Sequence, residues 1–184
     1  MRLATNYSRL HDAGAELVAI SVDDDVRQAG MATRWGLTYT RMVSDPGGER
    51  YLKPLGLFNP DERDGIALPA MVVVEPGGME VYRYRGRDFA DRTNDDDLWQ
   101  ALAALGLPPV QPERWSADVI VPDDLDRYFR PSDLPGYFRG NMFGAVAIAG
   151  RLDDPAAKAI AAQHRDMARA TIDAWQTWKD QMHS

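Results

Sequence analysis

From the N-terminus, apolar positions alternate between helical spacing and short unbroken runs. In RLATNYSRLHDAG, Leu3, Tyr7 and Leu10 recur at helical intervals and Gly14 supplies a stop, so the spacing predicts a helix ending there. AELVAISVDD is a short apolar run closed by acids, the pattern of a buried parallel strand. DDVRQAGMATRWGL returns to helical spacing through Val26, Met31 and Trp35, with Asp24 or Asp25 as cap. TYTRMVSD reads as a second short strand, and PGGERYLKPLGLFNP as an irregular, turn-rich stretch.

GIALPAMVVVEPGG places Pro69 before what reads as the most buried strand of the chain. AMVVVE, the turn PGG and MEVYRYRG predict a β-hairpin, its second strand alternating between a buried and a wet face. RTNDDDLWQALAALGL predicts a helix capped by Thr93 or Asn94, with three aspartates in its first turn, a stripe of Leu98, Leu102 and Leu105, and a stop at Gly106. The order helix, strand, helix, strand, loop, strand, strand, helix is an α/β arrangement. From Pro108 the composition shifts to a proline-punctuated linker with one candidate strand, ADVIV at 117–121. The chain then ends in a long helix with Pro155 at its first position and Ile160, Met167, Thr171, Trp175, Trp178 and Met182 on one face. Two regions follow: an α/β domain over 1–110 and an extension over 111–184.

Charge and composition narrow the classes of function. A net charge of -7 argues against nucleic-acid binding, which favours a basic face. The longest apolar stretch, MFGAVAIAG, is far short of the roughly 20 residues of a membrane span. With no signal-peptide pattern at its start, the expected compartment is cytoplasmic. The chain has no cysteine, which excludes disulfides, thiolate metal sites and a cysteine nucleophile.

The remaining chemistry is sparse. The acidic runs at 23–25 and 95–97 suit hard cations, yet each lies where a helix begins, and capping accounts for both without a metal. None of His11, His164 and His183 accompanies a serine or cysteine motif; His11 is expected on the surface of its helix and His164 in a packed face. The PGG segments at 46–48 and 76–78 are turns rather than phosphate loops. Arg83, Arg85 and Arg87 read as a solvated strand face. Trp175 and Trp178 are interface candidates, against the chain's own α/β domain or against a second copy as a homodimer.

GAELVAISVDD, MVSDPGG, LGLFN, GIALPAMVVVEPGG and YRGRDFADRTNDDDLWQALAAL, in that order, resemble the peroxiredoxin-like redoxins of the alkyl hydroperoxide reductase and thiol-specific antioxidant group. The resemblance covers residues 1 to about 107. It implies a thioredoxin-like three-layer sandwich, here N-terminally incomplete and followed by a helical extension. It implies an active-site wall at Leu68 and Pro69 with a cis peptide between them; the alternative is a trans proline that opens an edge strand. It implies thiol-dependent reduction of peroxides or disulfides, with a thiol reductant and a peroxide as partners of a full-length form and no cofactor. The family's cysteine would precede the first helix, and this chain has none. No arginine stands in IALPAM, which leaves Arg92 as the candidate anion contact. The central strand is missing as well. Three remedies are expected: a longer parent chain, ADVIV folded back into the vacant slot, or a partner covering the edge. The alternative reading is a non-catalytic thioredoxin-fold module used for binding or assembly.

Overall fold

A computed structural model describes residues 2–62, 64–87, 91 and 95–182. The chain divides into two compact units, Met1–Tyr128 and Phe129–Ser184.

The first unit opens with two short helices, α1 (Arg2–Thr5) and α2 (Tyr7–Asp12), broken at Asn6. Asparagine competes for backbone hydrogen bonds and is a weak helix former. Gly14, at φ +75°, turns the chain out of α2 into β1 (Leu17–Ser21). The helix α3 (Asp25–Trp35) follows; its cap is Asp24, whose Oδ1 accepts the Arg27 N–H at 2.8 Å. Gly36 ends α3 in the left-handed conformation, and β2 (Thr40–Ser44) returns parallel to β1, with Leu17 opposite Thr40 and Ser21 opposite Ser44. The order strand, helix, strand follows the apolar spacing, but β1 is only half-buried, with Val18 exposed. The buried face of α3 is Gln28, Ala29, Gly30 and Ala32 rather than the expected Val26, which is exposed.

After the turns at 46–56, β3 (Phe58–Asn59) and β4 (Ile66–Ala67) form a short antiparallel pair. The expected hairpin is β5 (Ala70–Val74) and β6 (Glu80–Arg85), with an irregularity between Val73 and Val74. Its first strand is less buried than its sequence suggests: Val73 is buried while Val74 is exposed. The helix α4 (Asp96–Leu105) ends at Gly106 and buries Leu98 and Leu102. Its N-cap is Asp95; the expected caps Thr93 and Asn94 lie outside the described residues.

The class is mixed α/β. Among the described residues the strands form three two-stranded sheets, β1–β2, β3–β4 and β5–β6, rather than one. Two apolar clusters hold the β1–β2 and β5–β6 pairs. Leu10, Val73, Leu98 and Leu102 form one; Ala4, Ala32 and Leu37 form the other; Leu17 of β1 packs against both.

Residues 107–128 have no regular element and are laid along the first unit. The Val110 N–H reaches the His11 carbonyl at 2.9 Å, and the Trp115 N–H reaches that of Thr38 at 2.8 Å. The Arg34 guanidinium pairs with Asp126 at 3.3 Å, and the Tyr128 ring lies where a side chain at Gly30 would stand. The expectation that ADVIV fills a sheet slot is therefore overturned. Residues 117–121 pair with no strand, and Ile120 is 92% exposed. Trp115 and Tyr128 anchor the segment on either side, and Pro122 removes a donor directly after it.

The second unit is a helical hairpin of α5 (Leu134–Ala149) and α6 (Pro155–Met182). Asp154 caps α6: its carboxylate accepts the N–H groups of Ala156 and Ala157 at 3.1 and 3.2 Å. Pro155 takes the first position, where its missing N–H costs nothing. Phe138 and Ala145 of α5 and Ala168 of α6 are buried, whereas Ile160, expected in the seam, is 56% exposed. A small residue at 168 suits two helices in close approach better than a branched one.

Candidate functional site

Parallel strands in α/β folds commonly carry their sites beyond their carboxyl ends. Here that edge is built from Ser21, Asp23, Gln28, Ser44 and Asp45. Ser21 Oγ donates to Asp23 Oδ2 at 3.0 Å and accepts from Gln28 Nε2 at 3.0 Å. The same Gln28 amide donates to the Val43 carbonyl at 2.9 Å, and Ser44 Oγ donates to the Asp23 carbonyl at 2.7 Å. Gln28 is buried, and its amide ties α3 to both strands. The network spends its donors on itself. The Ser21 hydroxyl donates to the Asp23 carboxylate and accepts from the Gln28 amide, so the arrangement is a closed hydrogen-bonded frame without the imidazole of a serine triad.

Asp45 is the most enclosed acid of this edge, 3% exposed. Oδ1 accepts the Arg50 N–H at 3.0 Å; Oδ2 accepts those of Tyr51 and Leu52, each at 2.9 Å. One carboxylate thus folds the 46–52 turn about itself. Burial works to raise its pKa, but the N–H groups of Leu52, Arg50 and Tyr51, with the Arg50 charge, outweigh it and hold the carboxyl below its ordinary 3.8. A depressed folded-state value means that the stabilisation is complete above about pH 4 and is lost as pH falls through the folded value. Asp45→Asn turns an amide donor toward N–H groups that need an acceptor. The expected result is a lower thermal midpoint at neutral pH and a shallower loss of stability on acidification below pH 4, read by circular dichroism melts against wild type.

The strand β4 lies against β1 and against the Pro46–Gly48 turn, so the residues that follow it, Leu68 and Pro69, stand at the same end. Leu68 is buried, and its N–H donates to the Leu57 carbonyl at 2.8 Å; the Pro69 carbonyl accepts the Gly86 N–H at 2.7 Å. The expected cis bond is not formed: no cis peptide occurs among the described residues, so Leu68–Pro69 is trans. An extended trans link keeps both flanking hydrogen bonds, and trans is the intrinsic preference before proline. Phe58 of β3 fills the wall, its ring against Gly48 and Gly65, both at positive φ.

The other candidates are scattered. Arg92 lies outside the described residues, as does His183. Arg83 is held by Glu80 at 2.6 Å and by the Leu55 carbonyl at 3.0 Å, and Arg87 by Asp91 at 2.8 Å. The Glu80 hydrogen bond lifts the Arg83 pKa and lowers that of Glu80, as expected for a formed pair. His11 is buried, against the expectation of a surface position; its ring sits 5.6 Å from Tyr7 and 5.8 Å from Tyr39, edge-on to the latter. His164 Nε2 lies 3.1 Å from Asn141 Oδ1 in the hairpin. Trp175 and Trp178 are half-buried; the Trp175 indole N–H is buried without an acceptor, and the Lys179 ammonium stands 5.4 Å from its ring. Among the described residues no cluster of three or more His, Cys, Asp or Glu could hold a metal ion. Asp24 caps α3, and Asp95, Asp96 and Asp97 begin α4.

The sequence signal for Asp45 was available in its position before Pro-Gly-Gly, since aspartate often binds the backbone of a turn it opens. Gln28 carried no such signal. Comparison with protein-family models, with curated proteins and with solved structures finds no match. The fold and site define a mixed α/β unit joined to a helical hairpin. No described helix is long and apolar enough to cross a membrane.

Proposed function

We propose that residues 1–107 are a redoxin-type module of thioredoxin-like ancestry, and that this chain acts in the cytoplasm by binding or assembly rather than by thiol catalysis. The order of elements supports the redoxin part: a helix, a parallel pair bridged by α3, then the antiparallel hairpin β5–β6 and α4. The observation that carries the functional part is the absence of any cysteine, together with an edge of serines and acids whose hydrogen bonds close on one another. Thiol peroxidase chemistry needs a thiolate to attack the peroxide. The trans bond at Leu68–Pro69 removes one of the marks on which the resemblance rests.

The test is hydrogen peroxide consumption by the purified chain with dithiothreitol as reductant, followed by the gene sequence upstream of Met1. Turnover no faster than buffer is the expected result. Turnover above buffer overturns the reading, and so does an in-frame upstream segment encoding a strand and a cysteine, which would restore the peroxidase reading for a longer form.

A further inference from the structure

We propose that the groove between α5 and α6 binds a neutral aliphatic alcohol, its alkyl tail along the groove and its hydroxyl at His164. The groove lies wholly in the second unit, so the proposal stands whether or not the first unit is a redoxin. Its volume is about 470 Å³, within the roughly 300–1,000 Å³ of small-molecule sites. Small residues make the room: Gly144 lines it from α5, and Ala157 and Ala161 line it from α6. A Cβ at Gly144 would have nothing within 4 Å. Ile148 and Ile160, each 56% exposed, form the rims, and Leu152 lines the end nearest the connection between the helices. An alkyl tail laid between the two isoleucines takes their apolar surface out of water.

The polar groups of the groove stand at its other end and select the head group. The Asn141 amide donates through Nδ2 to the Tyr137 carbonyl at 3.0 Å, so Oδ1 is the atom that meets His164 Nε2 at 3.1 Å. That oxygen needs a donor, which places the proton of a neutral ring on Nε2. Nδ1 is then an acceptor, and no described group donates to it. A hydroxyl supplies the missing donor. Among the described residues no Lys, Arg, Asp or Glu lines the groove, so a charged head group would lose water without gaining an opposite charge. Length sets the class of tail. From Ala157 to His164 the groove runs about 10 Å along α6, which suits a tail of about eight carbons and is too short for the face of a partner helix.

The test is titration of the isotope-labelled full chain with 1-hexanol, 1-heptanol and 1-octanol, read from backbone amide shifts, with octanoate and octylammonium as charged counterparts. 1-Octanol is expected to saturate shifts in α5 and α6 with a dissociation constant of about 0.1–1 mM, and to weaken about two- to fourfold for each methylene removed. Both charged counterparts are expected to bind about tenfold more weakly, or less. Gly144→Leu fills the open space and replaces a poor helix former, so it should keep the helical circular dichroism signal while binding 1-octanol about tenfold more weakly. Ala147→Leu, at an exposed position of α5 outside the groove, should bind as wild type does. Shifts that do not saturate with 1-octanol overturn the proposal. A charged counterpart that binds as tightly as 1-octanol, or a Gly144→Leu chain with wild-type affinity, overturns it as well.

Discussion

Leu102→Ala is expected to lower the unfolding free energy by about 2–5 kcal/mol, a large part of the roughly 5–15 kcal/mol of a typical domain. Leu102 is 4% exposed on α4, in the cluster with Leu10, Val73 and Leu98 that joins α2, β5 and α4. Removing its branched end leaves a cavity that none of these elements can fill alone, because each is held by its own hydrogen bonds. The loss should appear in urea as a lower midpoint with an unchanged slope, read from tryptophan fluorescence. Val81→Ala on the exposed face of β6 is the comparison, expected within about 0.5 kcal/mol of wild type. Equal losses at the two positions would mean that this cluster is not the core.

Gly14→Ala is expected to cost about 2–5 kcal/mol, from two separable causes. At φ +75° an L side chain strains the backbone by about 1–2 kcal/mol. A Cβ at position 14 would also lie 2.6 Å from Leu107 Cβ and 2.8 Å from the Pro108 carbonyl oxygen, which forces the 107–110 segment away and costs about 1–3 kcal/mol more. Gly106 separates the two: its φ is +59°, but nothing stands within 4 Å of a Cβ there. Gly106→Ala should carry the strain alone. Matching midpoints for the two variants in thermal unfolding would remove the packing half of the account.

Local pattern revealed the elements better than it revealed their assembly. The strands β1 and β2, the cap Asp24, the hairpin β5–β6 and the stripe Leu98–Leu102 follow from spacing because each answers to its immediate neighbours. The division of the strands into three pairs did not, since pairing depends on residues far apart in the chain. ADVIV illustrates the limit: its β-branched residues suit a strand, but a strand needs a partner edge, and Trp115 and Tyr128 hold this segment elsewhere. Helical spacing predicts a surface position for His11 because it does not reveal Tyr39, which lies beyond a strand and a helix. The frame at the ends of β1 and β2 was partly legible, with Asp45 marked by its turn and Gln28 unmarked.

The run of chain from 107 to 128 sets the order in which the first unit can be completed during synthesis. α3 and β2 are made early, yet their cover, from Trp115 to Tyr128, leaves the ribosome much later; Arg34 and Asp126 are 92 positions apart. At about 5–20 residues per second, that interval is roughly 5–20 s. For that time the Gly30 side of α3 has no Tyr128 against it, so a nascent chain stalled before residue 115 is expected to be the form most open to proteases and chaperones.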